Sequence, residues 1–334
     1  AANGVVVVET KKPEAGKLRF SYSGNYQLAW ADLSDYNLMN AGEKLEFERL
    51  AGHYGALDDD GEILHDTNRV LYYKRLARVA SGLNTYWLSM PLRTAFTHEH
   101  SLNLEGGDKD FRYGLTFRYK NNQGVMKKSE RQNIDGTINL LYRVDKFNLS
   151  NQTTIGHTNA PNNVVAFSSF AKMNPYESPY DSNGEVLKVL EEKSVYNPLW
   201  DFNQNSYDKN NALSMTNNFI IEYTPIQGMR VQGKLGLSTS RSSSEVFVSP
   251  YATSFIGVES TKQGSYDHTA YKQTSYDGSL LVSYGNTYGA HTFNVIGGAQ
   301  LYEDNSTSEQ YSAIGYITDQ FSNPNFSNGY PEGE

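Results

Sequence analysis

The sequence predicts an all-β fold, namely an antiparallel transmembrane β-barrel segment with about nine strands. Three observations predict it: long stretches alternate apolar and polar residues, short turns alternate with long connections, and aromatic residues stand near strand ends. The 334 residues include 25 tyrosines and no cysteine, which excludes disulfides and thiolate metal sites. The formal net charge of −8 disfavours nucleic acid as a partner.

The first predicted strand is "KLRFSYSGNYQLAW", residues 17–30, with mostly apolar even positions and polar odd positions. A period of two predicts a strand with two different faces. The stretch exceeds the roughly 9 to 11 tilted residues that cross a bilayer. The strand is expected to rise towards the outer surface, ending at Trp30. Its expected lipid-facing residues are Leu18, Phe20, Tyr22, Tyr26 and Leu28, and its expected lumen-facing residues are Ser21, Ser23, Asn25 and Gln27.

The connection that follows, residues 31–92, is predicted to contain helices. "NLMNAGEKLEFERLAGHYG" sets leucines among glutamates and lysines, and "NRVLYYKRLARVASG" resembles a short helix that ends at Gly82. We interpret both as helices that lie above or across a barrel mouth.

The same alternation predicts eight more strands. Short turns such as "GGDKD", "VDK", "TPIQG" and "GNTYG" join some of them, whereas long connections join most of the others. Short turns on one rim and long loops on the other are typical of outer-membrane barrels. The predicted strands are 93–106, 111–120, 131–143, 146–157, 213–224, 229–240, 276–285 and 290–302.

The charges indicate which face is which. In residues 111–120, "FRYGLTFRYK", the aromatic residues and Leu115 share one face, and Arg112, Arg118 and Lys120 share the other. Arginine or lysine facing lipid near the midplane costs about 2 to 4 kcal/mol, so the apolar face is expected to be the outer one. A soluble β-sandwich, with the apolar face in a core, is the alternative.

The connection 158–212 is rich in aromatic residues, which stack on sugar rings or pack on peptide side chains. Packing within the loop, or contact with a partner protein, is the alternative interpretation. The candidate substrate-binding residues are Tyr176, Tyr180, Tyr196, Trp200, Phe202 and Tyr207.

No metal site or catalytic site is predicted. The "HEH" at 98–100 would put two imidazoles on one strand face, but no third ligand is apparent nearby. The acidic turn "DDDGE" at 58–62 offers oxygen ligands for calcium, yet it lacks the spacing of an EF-hand loop. A solvated turn is favoured, and no cofactor is expected. The sequence shows no nucleophile or phosphate-loop motif, so the protein is expected not to be an enzyme.

Several blocks of the chain resemble one protein family. The opening "AANGVVVVETKKPEAGKLRFSYSG" looks like the junction of plug and barrel in SusC/RagA-type TonB-dependent transporters. Residues 100–139, "AKMNPYESPYDSNG" at 171–184 and "YNPLWDF" at 196–202 are similar to that family too, in the same order.

The resemblance implies a plugged 22-stranded barrel in a Gram-negative outer membrane. It implies TonB-dependent import of oligosaccharides or peptides beneath a SusD-like lipoprotein lid. Residues 1–16 would end the plug domain, and residues 17–334 would form the first part of the barrel with its long extracellular loops, so we expect a piece of a longer protein. The predicted plug strand consists of Gly4, Val5, Val6, Val7 and Val8.

Two other functions remain open from the sequence. A TonB-dependent receptor for an iron-siderophore or a corrinoid would share the barrel and the plug. A soluble surface-binding β-protein would share only the alternating strands.

Overall fold

The computed structural model describes residues 13–190 and 195–331. They form one antiparallel sheet of ten strands, which pair in the order in which they occur in the chain. Every predicted strand is confirmed, and the short last strand is an addition. The strands are β1 (Gly16–Ala29), β2 (Ala95–Gly107), β3 (Phe111–Gln123), β4 (Glu130–Val144), β5 (Phe147–Asn162), β6 (Tyr207–Tyr223), β7 (Met229–Val248), β8 (Ser265–Tyr288), β9 (His291–Tyr316) and β10 (Ser327–Gly329).

The later strands are longer than the sequence predicts. β8 has 24 residues and β9 has 26, well beyond the roughly 9 to 11 needed to cross a bilayer. The extra part of β8, residues 265–275, is mostly polar on both faces and has Tyr266 and Tyr271 on opposite faces, so it lacks the regular alternation that marks a strand in the sequence. Its backbone is held by pairing with β7 and β9, for example at Thr269.

The two rims of the sheet differ as predicted. The connections 108–110, 145–146, 224–228 and 289–290 form the short-turn rim. The connections 30–94, 124–129, 163–206, 249–264 and 317–326 form the long-loop rim. β1 begins at the short-turn rim, because Gly16 pairs with Gly107, and Trp30 follows it at the long-loop rim.

The strand register separates an apolar face from a polar face. Phe20, Leu104, Leu115 and Ile138 are successive cross-strand partners and define the apolar face. One residue along, Thr116 lies on the polar face and donates to Asn103 at 2.9 Å. The polar face also carries cross-strand ion pairs of opposite sign, Arg118 with Asp135 at 2.8 Å and Lys120 with Glu99 at 3.3 Å.

The apolar face contains one polar cluster that the sequence pattern does not predict. Asn151, Thr153 and Asn217 stand on this face, and the Asn217 amide donates to Thr153 Oγ1 at 2.7 Å and to Asn151 Oδ1 at 3.2 Å. Mutual hydrogen bonds offset the cost of placing amides and a hydroxyl among apolar side chains. The alternation is therefore interrupted where partner strands supply the bonds.

The segment before β1 packs on the polar face. Pro13 is buried, and a Cβ added to Gly114 of β3 would come within 3.2 Å of the proline ring. The chain therefore enters the sheet from its polar side. The predicted plug strand, Gly4 to Val8, lies outside the described residues, and the boundary at residue 16 stays a prediction.

Two of the buried apolar cores lie in the loops above the sheet, and the third is formed by strand residues around Phe247 at the long-loop rim. The first loop core joins two helices, α1 (Ala41–Leu50) and α2 (Asp66–Ala80), and both confirm the predicted helices. α1 begins with a capping box between Asn40 and Glu43. Two short helices, α3 (Phe167–Ala171) and α4 (Pro198–Asn203), belong to the second loop core. Among the described residues, no helix is both long and apolar enough to span a membrane.

Most of the apolar face of the sheet is not covered by other described residues, except at the long-loop rim, where Phe247 and Tyr266 are buried. Leu235, in the middle of the sheet, is 63% exposed, and Phe20 and Leu280 are similarly exposed to solvent. Contiguous exposed apolar surface of this extent is typical of proteins that contact lipid or another protein. A soluble sandwich needs a second sheet over this face, and residues 13–190 and 195–331 form only one.

The facing assignment predicts opposite effects of arginine at neighbouring positions of β3. Leu115→Arg should impair assembly by about 2 to 4 kcal/mol, because it puts a charge among lipid-facing side chains. Thr116→Arg should assemble almost normally, with loss of one hydrogen bond worth about 1 kcal/mol. The yield of heat-modifiable folded protein in the outer-membrane fraction measures both. Equal yields would show that the two faces are assigned wrongly.

Candidate functional site

Two long connections meet above the long-loop rim and form the candidate site. Thr85, in the first connection, donates its backbone N–H to Pro175 O at 2.8 Å and its hydroxyl to Glu177 O at 2.7 Å. Trp87 Nε1 donates to Asn174 O at 2.9 Å. These contacts join segments about ninety residues apart, so the site depends on tertiary structure.

A buried polar network supports this junction from below. Glu48 of α1 accepts hydrogen bonds from Tyr54 at 3.1 Å and from Tyr176 at 2.9 Å. Arg75 of α2 is 4% exposed, donates to Tyr54 Oη at 2.6 Å and lies over the Tyr176 ring, 4.6 Å from its centre. A buried carboxylate is tolerated when it is paired and hydrogen-bonded, as it is here.

Burial decides the protonation state of the two tyrosines in the network. Desolvation raises the pKa of the Tyr176 phenol far above its usual range, and it also raises the pKa of Tyr54. Both phenols therefore stay protonated at neutral pH and act as hydrogen-bond donors. The two phenols therefore serve this part of the loop assembly as fixed hydrogen-bond donors.

A groove of about 400 Å³ lies where the two connections meet. Its wall combines flat or flexible apolar side chains with amides, a mixture suited to sugar rings or peptide backbone. The exposed ring of Tyr86 and the side chains of Leu38 and Met39 supply the apolar part, and Asn37 and Asn174 supply amides.

The predicted substrate-binding residues are divided between buried and exposed positions. Tyr176 is 1% exposed in the first loop core, and Phe202 is 3% exposed in the second. Tyr207 is partly buried against the third core, which surrounds Phe247. These placements favour packing roles for the three rings.

The other three candidates are accessible. Tyr180 and Tyr196 are more than 40% exposed, and Trp200 is half-buried with Lys188 5.9 Å from its ring centre. The Trp200 indole donates to Tyr251 O at 2.9 Å. A role of these residues in substrate binding stays a prediction.

The groove residues were missed by the sequence analysis. "NTYW" at 84–87 contains two adjacent aromatic residues in a loop, and this was the available signal. Nothing in the sequence shows that Tyr86 faces the segment 171–175, because that contact joins separate loops.

The acidic turn at 58–62 has a structural explanation. Asp58 Oδ1 accepts from the N–H groups of residues 60 and 62, and Gly61 has a φ of +81°. Residues 181–185, "DSNGE", repeat this turn: Asp181 Oδ1 accepts from residues 183 and 185, and Gly184 has a φ of +82°. Each aspartate closes a small hairpin. In residues 13–190 and 195–331, no three metal-binding side chains cluster together.

The two histidines of "HEH" belong to an aromatic cluster on the apolar face. His100 contacts the Tyr22 hydroxyl at 2.7 Å, and His98 lies 3.1 Å from His100 between their ring nitrogens. Tyr26 and Tyr119 stand within ring-contact distance of this pair. The cluster lies in the upper half of β1 to β3, where an interfacial aromatic girdle is expected.

Comparison with known proteins identifies relatives. A scan against models of protein families gives no match. The chain is similar to the TonB-dependent receptor SusC of Bacteroides thetaiotaomicron, with 23% identity over 330 residues that cover 90% of this chain and 30% of SusC. It is also similar to the TonB-dependent receptor P3 of Formosa agariphila, with 21% identity covering 98% of this chain and 31% of that receptor.

A solved structure shows the same fold. The RagAB peptide importer in its closed-closed state matches with a TM-score of 0.73 and 16% identity, over 95% of this chain and 38% of the RagAB chain. The resemblance to SusC/RagA-type TonB-dependent receptors is confirmed. The chain spans about 30% of the length of the curated relatives it matches.

The blocks that carry the SusC/RagA resemblance contact one another. Asn197 of "YNPLWDF" is completely buried and donates to Pro179 O at 3.0 Å and Leu187 O at 2.7 Å. Its Oδ1 accepts from the Leu199 N–H and so caps α4, which has Pro198 in its first turn. The Asn197 side chain therefore holds the "YNPLWDF" block against the "NPYESPYDSNG" segment.

The loop assembly should loosen when Asn197 is replaced by leucine. Asn197→Leu leaves two buried carbonyls and one helix N–H without this partner, at about 1 to 3 kcal/mol per buried group. Limited proteolysis of the native protein in membranes should show faster cleavage within 163–206. Asn183→Leu, an exposed asparagine without a recorded side-chain hydrogen bond, should cleave at the normal rate. Equal rates for both variants would contradict the role of Asn197.

Proposed function

We propose that the native protein carrying this chain imports nutrients through a Gram-negative outer membrane, with energy from the TonB complex. The observation that carries the proposal is that the sheet has an uncovered apolar face on one side and a polar, ion-paired face on the other. This arrangement suits a barrel wall between lipid and a wet lumen. The names of the similar proteins, two receptors and an importer, support transport rather than enzymatic catalysis.

The proposed substrates are oligosaccharides or peptides. The groove beside Tyr86 lies at the long-loop rim, and its apolar and amide lining suits either class. RagAB is named as a peptide importer, which supports the peptide alternative. The proposed partner is a SusD-like lipoprotein lid. The exposed loop residues Tyr180 and Tyr196 offer contact surface for it.

The proposed orientation puts the long-loop rim outside the cell. Asp59 lies in the exposed acidic turn of the first loop, and Lys109 lies in the short turn between β2 and β3. This part of the native protein has no cysteine, so a single introduced cysteine is the only thiol within it, and the unmodified native protein is the labelling control. On intact cells, an impermeant maleimide should label Asp59→Cys, while Lys109→Cys should react only after permeabilisation. The reverse pattern would overturn the orientation.

Uptake measurements test the function directly. Cells that lack the gene should lose energised uptake of a labelled peptide pool or a labelled oligosaccharide pool, and a protonophore should abolish the same uptake in normal cells. Loss of iron-siderophore or corrinoid uptake instead would favour the rival receptor function. Unchanged uptake of all four would contradict import.

The groove makes a further prediction about uptake. Tyr86→Ala removes an exposed ring that lines the groove, and ring contacts of about 0.5 to 1.5 kcal/mol correspond to roughly 2- to 12-fold weaker substrate binding. Uptake at low substrate concentration should fall by that factor. Tyr73→Ala is the matched control, because this ring is 45% exposed, close to the 47% of Tyr86, and lies on α2 away from the groove.

A further inference from the structure

A second groove, of about 560 Å³, lies on the apolar-face side of the sheet, high on β5 to β9. Successive cross-strand partners form a row across it, from His157 through Leu213, Arg241 and Lys272 to Thr307. The side chains of His157, Arg241 and Lys272 are exposed. The groove is separate from the loop groove beside Tyr86.

The row contains a like-charge pair. Arg241 and Lys272 stand directly opposite each other on β7 and β8. Like charges at directly opposite positions destabilise a sheet. Within the described residues, neither side chain has a recorded ion pair or hydrogen bond. The polar face follows the opposite rule, since its directly opposed charges Arg118 and Asp135 form an ion pair. The arrangement of Arg241 and Lys272 therefore calls for an anion from outside the sheet.

Glu245 of β7 stands two rows above Arg241, where it pairs in register with Lys209 and His268, and the other nearby carboxylates stand on β9. Glu309 lines the groove, paired in register with Ala270, and lies beyond ion-pair distance of both cations. Glu303 stands two rows below Thr307 and accepts a hydrogen bond from Asn305 at 2.8 Å. None of these carboxylates neutralises the pair on β7 and β8.

The depth of the pair identifies the source of the anion. Below the cations, the nearest apolar-face residues with large apolar or aromatic side chains on β7 and β8 are Leu237 and Tyr276, four residues nearer the short-turn rim. Above the cations, Phe247 and Tyr266 stand six residues nearer the long-loop rim and are buried in the third core. Four residues span about 13 Å of strand, or about 10 Å along the membrane normal at a tilt near 40°. This distance leads out of the hydrocarbon core and into the headgroup layer of the outer leaflet.

The surroundings suit an amphipathic anion. Leu213 lines the groove beside Arg241, and the row below contains the hydrogen-bonded hydroxyls of Thr239 and Thr274, 3.3 Å apart. The next row contains Leu237 and Tyr276 together with Asn217 and Glu303, and below it the apolar face continues on β7 to β9 with Leu235, Leu301 and Leu280. A molecule with a phosphate at the cations and acyl chains along this face satisfies both features.

We propose that Arg241 and Lys272 bind the phosphate of an outer-leaflet lipid headgroup, with His157 at the edge of the site. The inference rests on the proposed function, because that function places the long-loop rim at the outer leaflet. The lipid would cancel the repulsion between the two cations and hold the upper part of β7 and β8 at a fixed depth.

Binding of a phosphorylated lipid by the purified native protein tests the proposal. The probes are monophosphorylated lipid A, its dephosphorylated form and inorganic phosphate, measured by native mass spectrometry in detergent. Arg241→Gln combined with Lys272→Gln should weaken binding of the phosphorylated lipid at least tenfold. The control combines Lys234→Gln with Lys109→Gln, which removes the same charge from the polar face and a turn, and it should bind normally.

Each outcome decides the proposal. In lipid-free detergent, the double variant should unfold no more easily than the unmodified protein, because it removes the repulsion between the two cations. If the double variant fails to fold, the single variants Arg241→Gln and Lys272→Gln replace it. Each single variant should weaken lipid binding. Equal binding by all variants, equal binding of dephosphorylated lipid, or binding of inorganic phosphate as tight as that of the lipid would overturn the proposal. Energised uptake without lipid binding would overturn this inference alone, and lipid binding without uptake would overturn the import function alone.

Discussion

Backbone pairing between neighbouring strands is the interaction on which the rest of this structure depends. Within residues 13–190 and 195–331, no protein layer covers most of the apolar face, so cross-strand hydrogen bonds hold the sheet together there without a conventional core. In hydrocarbon every backbone N–H and C=O must find a partner within the protein. Strict sequential pairing supplies these partners and leaves the side chains free to meet two different environments.

The same pairing determines where charge can stand. On the polar face, opposite charges such as Arg118 and Asp135 meet across strands. On the apolar face, the polar side chains of Asn151, Thr153 and Asn217 satisfy one another. Arg241 and Lys272 are an exception, because two like charges stand opposite each other without a partner for either among the described residues, and this exception lies above the apolar band. Where a charged or polar residue can stand therefore depends on its depth along the strand as well as on its face of the sheet.

The loops solve a separate problem. Long polar connections can order only by burying apolar and hydrogen-bonded groups, and two small cores serve this purpose in the loops, whereas the third core consists of strand residues at the long-loop rim. The Glu48 network links the first long connection to the second, and Asn197 joins separate parts of the second connection. The groove beside Tyr86 exists because these links hold two loops at a fixed distance.

The sequence by itself determined the strands, their facing and the two rims, because alternation and turn residues are local properties. Residues 17–30 and 111–120 show their two faces without reference to any partner. The helices at 41–50 and 66–80 were likewise readable from local spacing.

Only the tertiary structure decided the rest. The polar extension of β8 is a strand because β7 and β9 pair with it. Tyr176 and Phe202 carry the aromatic signal of a binding loop but are buried, whereas Tyr86 is exposed in the groove. The pairing of Arg241 with Lys272 also depends on register. Contacts between residues far apart in the chain create these features, and no local pattern encodes them.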